Sequence, residues 1–184
     1  FRRVLFRSAS LDGFVNAQIR PQVSGYLVAR TYREGATVTK GQVLFEIDPR
    51  PFEAAVAQTR ARLAEARVQV ARTEIDLARD RPLVEQRALP QSQLDTDTHA
   101  LAAARAAVAS AEAAVAVAEL NLSYTKVTAL TGGVAAIATA QIGDLVGPST
   151  LLTTVSQIDP IRAYFPLSET DYLKVAPQIG RAHV

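Results

Sequence analysis

Apolar and small residues recur at alternating intervals of four and three along the middle of the chain. In the first half of this segment they are Phe52, Val56, Thr59, Leu63, Ala66, Val70, Thr73 and Leu77, and in the second half leucine or valine returns every seven residues at Leu94, Leu101, Val108, Val115 and Leu122. These intervals are those of a coiled-coil seam, and Arg, Glu and Gln occupy other faces of both predicted helices. The pattern predicts two long helices packed as an antiparallel hairpin, residues 49–122.

Two prolines bound the connection between these helices. Pro90 has no backbone N–H, which suits the first turn of the second helix. Pro82 either ends regular hydrogen bonding in the first helix or kinks it. The intervening loop, about Glu85–Leu89, is short, so the two helices must be neighbours.

Strand-like segments flank the hairpin on both sides. Before it they are Gly25–Tyr32 and Val43–Ile47, and after it they are Thr125–Ala129, Val134–Ala140 and Leu151–Val155. One constant offset of 108 residues relates the two sets, carrying Gly25 onto Gly133, Gly35 onto Gly143, Val38 onto Val146, Leu44 onto Leu152 and Ile47 onto Val155. Neither set has enough strands to bury a face alone, so the two halves are expected to pack into one sandwich.

Glycine marks the turns predicted in this repeat, because it adopts a positive φ without steric cost. The candidate turn residues are Gly25, Gly35, Gly41, Gly133 and Gly143. The predicted fold class is α+β and elongated. It consists of a split lipoyl- or biotinyl-like β-sandwich with an inserted antiparallel α-helical coiled-coil hairpin.

The predicted sandwich is similar to lipoyl and biotinyl carrier domains, which have the same two-fold architecture. A carrier needs a lysine at the tip of its central hairpin turn, and here the helical hairpin replaces that turn. Lys40 and Lys126 lie elsewhere in the repeat. No cofactor is therefore expected, and a carrier domain is the least favoured of the alternative functions.

Composition limits the remaining possibilities. The chain has 184 residues, of which 48% are hydrophobic and only 6% aromatic, which suits thin helix pairs better than a thick core. It has no cysteine, which excludes disulfides and thiolate metal sites. No run of about 18 apolar residues is free of charge, so no membrane span is expected.

The two ends of the chain have a separate explanation. Residues 3–8 read RVLFRS and residues 179–184 read IGRAHV. One DNA element, read on opposite strands, can encode both. It resembles the adapter of a short-read sequencing library, so residues 1–8 and 179–184 are expected to be non-native and the chain to be an internal fragment. Without Arg3, Arg7 and Arg181 the net charge changes from +2 to −1, with 17 basic and 18 acidic residues. Charge then gives no reason to expect a nucleic-acid partner.

Few residues suggest catalysis or metal binding. Asp95 and Asp97 are two residues apart on a predicted helix, so they point to different faces. They are expected to be solvated charges or charges near the helix N-terminus, which the helix dipole favours. His99 is the only histidine outside the suspect ends, and a lone histidine on a helix is expected at the surface. We expect neither an enzyme nor a metal site.

Five stretches carry a family resemblance. They are PQVSGYL, REGATVTKGQVLFEIDPRPFEAA, AELNLSYTKVTAL, GDLVGPSTLLTTVSQIDPI and AYFPLSETDYL. In this order, and together with the split repeat, they resemble periplasmic adaptor proteins, or membrane fusion proteins, of Gram-negative tripartite efflux pumps of the resistance–nodulation–division type. The resemblance implies a non-enzymatic adaptor that links an inner-membrane, proton-driven transporter to an outer-membrane channel for the export of drugs or other small molecules.

The resemblance also implies a location and an assembly. Such a protein is periplasmic, is held at the inner membrane by segments absent from this chain, and forms a ring, as a trimer or hexamer. The main alternative is an adaptor of an ATP-driven or other exporter. The expected domains are a non-native end at 1–8, the first half of the lipoyl-like domain with a preceding barrel strand at 9–48, the helical hairpin at 49–122, the second half at 123–157, the start of a partial β-barrel domain at 158–178, and a non-native end at 179–184.

Residues for docking follow from the same resemblance. In the family, the far end of the hairpin contacts the channel through an Arg, a Leu four residues on and a Ser seven residues further. Arg79 and Leu83 match this motif, whereas Pro90 stands at the Ser position and Ser92 follows two residues later. The resemblance therefore implies that the channel-docking residues are Arg79, Leu83, Pro90 and Ser92.

Overall fold

The structure is a computed structural model, and it describes residues 10–164. Its elements are β1 (Ser10–Ile19), β2 (Gly25–Arg30), β3 (Thr37–Val38), β4 (Val43–Ile47), α1 (Arg50–Glu85), α2 (Gln91–Ser123), β5 (Lys126–Thr128), β6 (Gly133–Ala135), β7 (Leu145–Val146) and β8 (Thr153–Tyr164). The predicted non-native ends, and all of the predicted barrel start after Tyr164, lie outside the described residues.

The long middle segment is a hairpin of two antiparallel helices, as the heptad spacing predicts. Every seam residue predicted for the first helix, from Phe52 to Leu77, is buried or half-buried, and so are the five predicted for the second. Along one edge, three ion pairs join the helices: Arg60 to Glu119 at 2.5 Å, Arg67 to Glu112 at 3.0 Å and Arg105 to Glu74 at 2.8 Å. Each step of seven residues along α1 is matched by an equal step back along α2, so the register is constant.

The second helix, α2, is more apolar than the lack of an uncharged run of about 18 apolar residues indicated. By length and composition alone α2 could span a membrane, and most of it is not buried within the described structure. Alanine accounts for this, because it fills the outer positions as well as the seam. The three charged residues that α2 carries between Leu101 and Ser123 all pair with α1, which supports the hairpin arrangement.

The base of α1 is fixed by a local cap. The residue at the usual capping position is Pro49, which makes no side-chain cap. Asp48 takes its place: its Oδ1 accepts a hydrogen bond from the backbone N–H of Arg50 at 3.1 Å, and its Oδ2 accepts another from the Arg50 side chain at 2.7 Å. These contacts with Arg50 lower the pKa of Asp48, and Pro51 suits the first helical turn.

The sandwich mixes strands from both halves of the repeat. One sheet has the order β1-β8-β6-β3 and the other β5-β4-β2-β7. Each sheet therefore takes two strands from each half of the repeat: β1 and β3 join β6 and β8 in one sheet, and β5 and β7 join β2 and β4 in the other. The two halves interlock rather than fold side by side.

Hydrogen bonds repeat with the offset of 108 residues. The backbone N–H of Thr31 donates to the carbonyl of Leu44 at 2.9 Å, and Thr139 donates to Leu152 at the same distance. Gly35 donates to Ala135 and Gly143 donates to Leu27, both at 2.8 Å. Gly35 and Gly143 also have φ of 76° and 99°, which confirms that they occupy turns requiring a positive φ.

The core is almost symmetric, with one exception. The equivalent pairs Val38 and Val146, Leu44 and Leu152, and Ile47 and Val155 are all buried. The exception is an aromatic pair, Tyr32 and Phe45, whose rings meet edge to face with centroids 5.4 Å apart. The offset places Ala140 and Thr153 at their counterparts. The first half thus supplies two large aromatic side chains where the second half has small ones. Burial raises the pKa of Tyr32.

Two of the predicted turn glycines have a different role. Gly25 and Gly133 are the first residues of β2 and β6 rather than turn residues. A Cβ at Gly25 would lie 2.6 Å from a methyl carbon of Ile47, and a Cβ at Gly133 would lie 2.4 Å from the carbonyl oxygen of Ser156. At Gly133 the close approach of a neighbouring backbone requires glycine, and at Gly25 the buried side chain of Ile47 occupies the space that a Cβ would need. Gly41, with φ of 86°, is a turn residue as predicted.

Candidate functional site

The far end of the hairpin is a tight connection between α1 and α2. The backbone N–H of Ala88 donates to the carbonyl of Leu83 at 2.8 Å, and that of Arg87 donates to Val84 at 2.9 Å. This is the Schellman arrangement that commonly ends a helix. The residue that takes the left-handed conformation is Arg87, with φ of 61°, where glycine is usual. The turn therefore carries local backbone strain.

Arg79 lies on α1 one turn before Leu83, and its guanidinium is bound by acidic neighbours on its own helix. Its Nε donates to Asp80 Oδ1 at 3.1 Å, and its NH2 group lies 2.9 Å from Asp76 Oδ1. The hydrogen bond that Arg79 donates to Asp80, together with the charges of both carboxylates, raises the pKa of Arg79. The side chain is still 63% exposed, so it can contact another protein without leaving its partners.

The other predicted docking residues are also on the surface of this end. Leu83 is 37% exposed, and Pro90 and Ser92 are exposed. Pro90 immediately precedes α2 in an extended conformation, with ψ of 149°, and it makes no side-chain cap. Its carbonyl accepts a hydrogen bond from the N–H of Gln93 at 3.0 Å. The structure thus brings all four residues to one end of the molecule.

Sequence reasoning missed an acidic layer beneath this surface. Thr73 on α1 and Ala104 on α2 are buried seam residues. Seven residues after Thr73 is Asp80, and seven residues before Ala104 is Asp97. Because the register is constant, these two carboxylates occupy opposed seam positions. The side chain of Asp80 is only 13% exposed, and Asp97 is half-buried. Of the two roles expected for Asp97, a solvated charge or a charge near the helix N-terminus, the first is wrong because the side chain is half-buried.

Asp97 fell outside the predicted pattern because only the leucine and valine positions of α2 were recognised as a seam. The other seam positions of α2 hold Ala104, Ala111 and Ala118, which resemble the many alanines on its outer faces. Counting three residues on from Leu94 would have found Asp97. Asp95 and His99 are exposed, as expected.

Two other kinds of feature among the described residues could form a site: a cluster of metal ligands and a groove. Within residues 10–164, no group of three or more His, Cys, Asp or Glu side chains could hold a metal ion. A groove of about 900 Å³ lies at the opposite end of the hairpin, where apolar Ile19, Leu122 and Leu130 form part of its lining.

Comparison with known proteins gives consistent matches. Residues 15–161 match the family described as RND MFP, barrel-sandwich hybrid domain. The chain is 37% identical over 172 residues to the efflux pump periplasmic linker BepD of Brucella suis, covering 92% of this chain and 43% of that protein. It is 35% identical over 170 residues to the multidrug export protein AcrE of Escherichia coli, covering 91% of this chain and 44% of that protein.

Among solved structures, the chain is similar to a MacA–MexA chimera that contains the Pseudomonas aeruginosa MexA α-hairpin domain. The TM-score is 0.69 with 28% sequence identity, over 90% of this chain and 56% of the chimera. This chain therefore spans less than half of the curated relatives and about half of the structural neighbour. The sandwich with its inserted hairpin, the residue pattern and these matches lead to one conclusion: the chain belongs to the family of membrane fusion proteins of resistance–nodulation–division efflux pumps and contains their barrel-sandwich hybrid domain.

Proposed function

We propose that the full-length protein is a non-enzymatic periplasmic adaptor that joins an inner-membrane transporter to an outer-membrane channel for the export of small molecules. The observation that carries this proposal is the architecture: a rigid sandwich from which a helical hairpin of 36- and 33-residue helices projects. Such helices extend about 50 Å. The relatives named as an efflux pump periplasmic linker and a multidrug export protein support the same role.

The hairpin is built as a spacer rather than as a binding cleft. Its seam alternates leucine and valine with alanine and threonine, and ion pairs join the two helices along one edge. Its base continues directly into β4 and β5, whose backbones pair Glu46 with Lys126. The two helices therefore run without interruption between the sandwich and the far end of the hairpin. Self-association into a ring, with three or six copies, would place several such hairpin ends around one channel.

The proposed channel contact lies at Arg79 and Leu83. Arg79 supplies an exposed cation whose orientation is held by Asp76 and Asp80, and Leu83 supplies an apolar side chain one turn further. Arginine and an adjacent apolar side chain are common at the centre of protein interfaces. Pro90 and Ser92 lie across the turn and complete the surface.

Substitution of the two central residues tests this contact. In the full-length protein, Arg79→Asp or Leu83→Glu is expected to abolish drug resistance in a strain that lacks its own adaptor, without loss of expression. Cross-linking to the channel should fall in parallel. Pro90→Ser is expected to keep or improve resistance, because serine at this position can cap α2.

Matched controls lie on the same helix. Arg72 precedes Arg79 by one heptad and is likewise exposed and near Asp76, and Val68 is an exposed apolar residue further toward the base. Arg72→Asp and Val68→Glu should leave resistance intact. Equal loss of resistance in these controls, or normal resistance and cross-linking in both end variants, would refute the docking assignment.

A further inference from the structure

The acidic layer interrupts the seam of the hairpin near its far end. On the base side of the layer, Leu77 and Leu101 occupy opposed seam positions, and on the other side Val84 and Leu94 do so. Two carboxylates facing each other in a coiled-coil seam supply no apolar contact and repel each other. The last apolar layer, Val84 with Leu94, is therefore separated from the rest of the seam.

Neighbouring groups satisfy this layer only in part. Asp80 Oδ1 accepts a hydrogen bond from Arg79 Nε at 3.1 Å, and Asp97 Oδ1 accepts one from Gln93 Nε2 at 3.1 Å. Asp97 Oδ2 is buried and has no hydrogen-bond partner among the described residues. A buried carboxylate oxygen without a donor destabilises the closed arrangement of the helices.

The backbone beyond the layer is weakened as well. Pro82 lies inside α1, so the carbonyl one turn earlier lacks its usual helical donor. Arg87 holds the left-handed conformation that closes the connection. Both features fall between the acidic layer and α2, and both lower the stability of this segment relative to the base of the hairpin.

We propose that the opposed carboxylates of Asp80 and Asp97 form a break in the seam, so that the hairpin end beyond them opens and closes independently of the rest. Opening bares Val84 and Leu94 beside Leu83 and enlarges the apolar surface at this end. The opening is a property of the isolated chain. Its use in contacting a channel rests on the proposed function.

Hydrogen exchange of the free chain, read by mass spectrometry, tests the break. In the parent, amides between Val84 and Leu94 should exchange faster than seam amides near Leu63 and Val115. Asp97→Asn removes one charge and should slow exchange at the end about fivefold, which corresponds to roughly 1 kcal/mol, the order of magnitude of the repulsion between two like charges in water. Exchange at the base should not change.

Further variants separate the causes. Asp80→Asn should slow exchange similarly, and the double variant should add little to either single one, because both relieve the same repulsion. Asp95→Asn makes the same charge change on an exposed position of α2 and should not slow exchange. Asp97→Leu restores an apolar seam and should slow exchange most.

The outcomes are distinct. If Asp97→Leu alone slows exchange, the break stands and is due to missing apolar contact rather than repulsion. If neither Asp97→Asn nor Asp97→Leu slows exchange at the end, or if both slow it equally along the whole hairpin, the proposal is overturned. The measurement uses no channel, so failure of the docking assignment in the resistance assay leaves it unaffected.

Discussion

Single residues set the closest contacts of the sandwich, and Gly133 shows this most directly. A Cβ at Gly133 would lie 2.4 Å from the carbonyl oxygen of Ser156, whereas at the adjacent Gly132 the nearest atom is 3.5 Å away. A distance of 2.4 Å cannot be relieved by a side-chain rotation, because the opposing atom belongs to the backbone of β8. Any residue other than glycine at position 133 therefore requires β6 or β8 to shift.

Substitution of these neighbouring glycines gives a matched test. Gly133→Ala is expected to lower the free energy of unfolding by about 2–4 kcal/mol, because β6 and β8 must separate or strain to admit the methyl group. Gly132→Ala should change it by less than about 1 kcal/mol. Denaturant titration followed by circular dichroism measures both. Equal stability of the two variants would contradict this prediction, because it would show that β6 and β8 separate at little cost in free energy.

The glycines and Asp97 also show which roles of single residues can be predicted from sequence. Gly35, Gly41 and Gly143 were placed correctly because turn glycine has a local conformational cause. Gly25 and Gly133 were placed in turns because their role depends on Ile47 and Ser156, which are distant along the chain. Asp97 was misassigned for the same reason, since its burial depends on α1. The docking role of Arg79, Leu83, Pro90 and Ser92 stays a prediction.

At the scale of elements, the heptad pattern defines the hairpin better than it defines the sheets. The predicted seam positions of both helices are buried or half-buried as expected, because the pattern repeats many times. The strands β3 and β7 were not predicted. Each has two residues, too few for any alternation to be visible, and each pairs with a strand from the other half of the repeat.

The seam assignment is tested by placing a charge in it. Val108→Asp puts an unpaired carboxylate against α1 and is expected to cost about 2–4 kcal/mol, seen as a lower helix melting temperature by circular dichroism. The adjacent Ala109 is exposed, so Ala109→Asp should have little effect. An unchanged melt of the Val108 variant would contradict the assignment of the seam.

At the scale of the whole molecule, the hairpin and the sandwich have separate cores. The buried core of the sandwich, among the described residues, takes none of its members from α1 or α2. The hairpin leaves and re-enters the sandwich at one place, where the backbone N–H of Ile47 donates to the carbonyl of Thr125 at 2.8 Å. The architecture could be predicted from the repeat, but the interlocking of its halves could not.

Removal of the hairpin tests this independence. Replacing residues 50–123 by a short glycine-containing turn should give a folded sandwich, because the flanking strands β4 and β5 are already neighbours. We expect a cooperative thermal transition by far-ultraviolet circular dichroism with loss of most of the helical signal. A variant without such a transition would show that the sandwich depends on the helices.

The same junction has a consequence for the order of folding. The strands β4 and β5 pair across the whole inserted segment, and a flexible loop of that length makes closure entropically costly. Helices form within about a microsecond, and two antiparallel helices bring their outer ends together. Once the hairpin has formed, only a few flexible residues remain between Ile47 and Thr125. Early formation of the hairpin therefore brings β4 and β5 together and lowers the entropic cost of closing the longest loop of the sandwich.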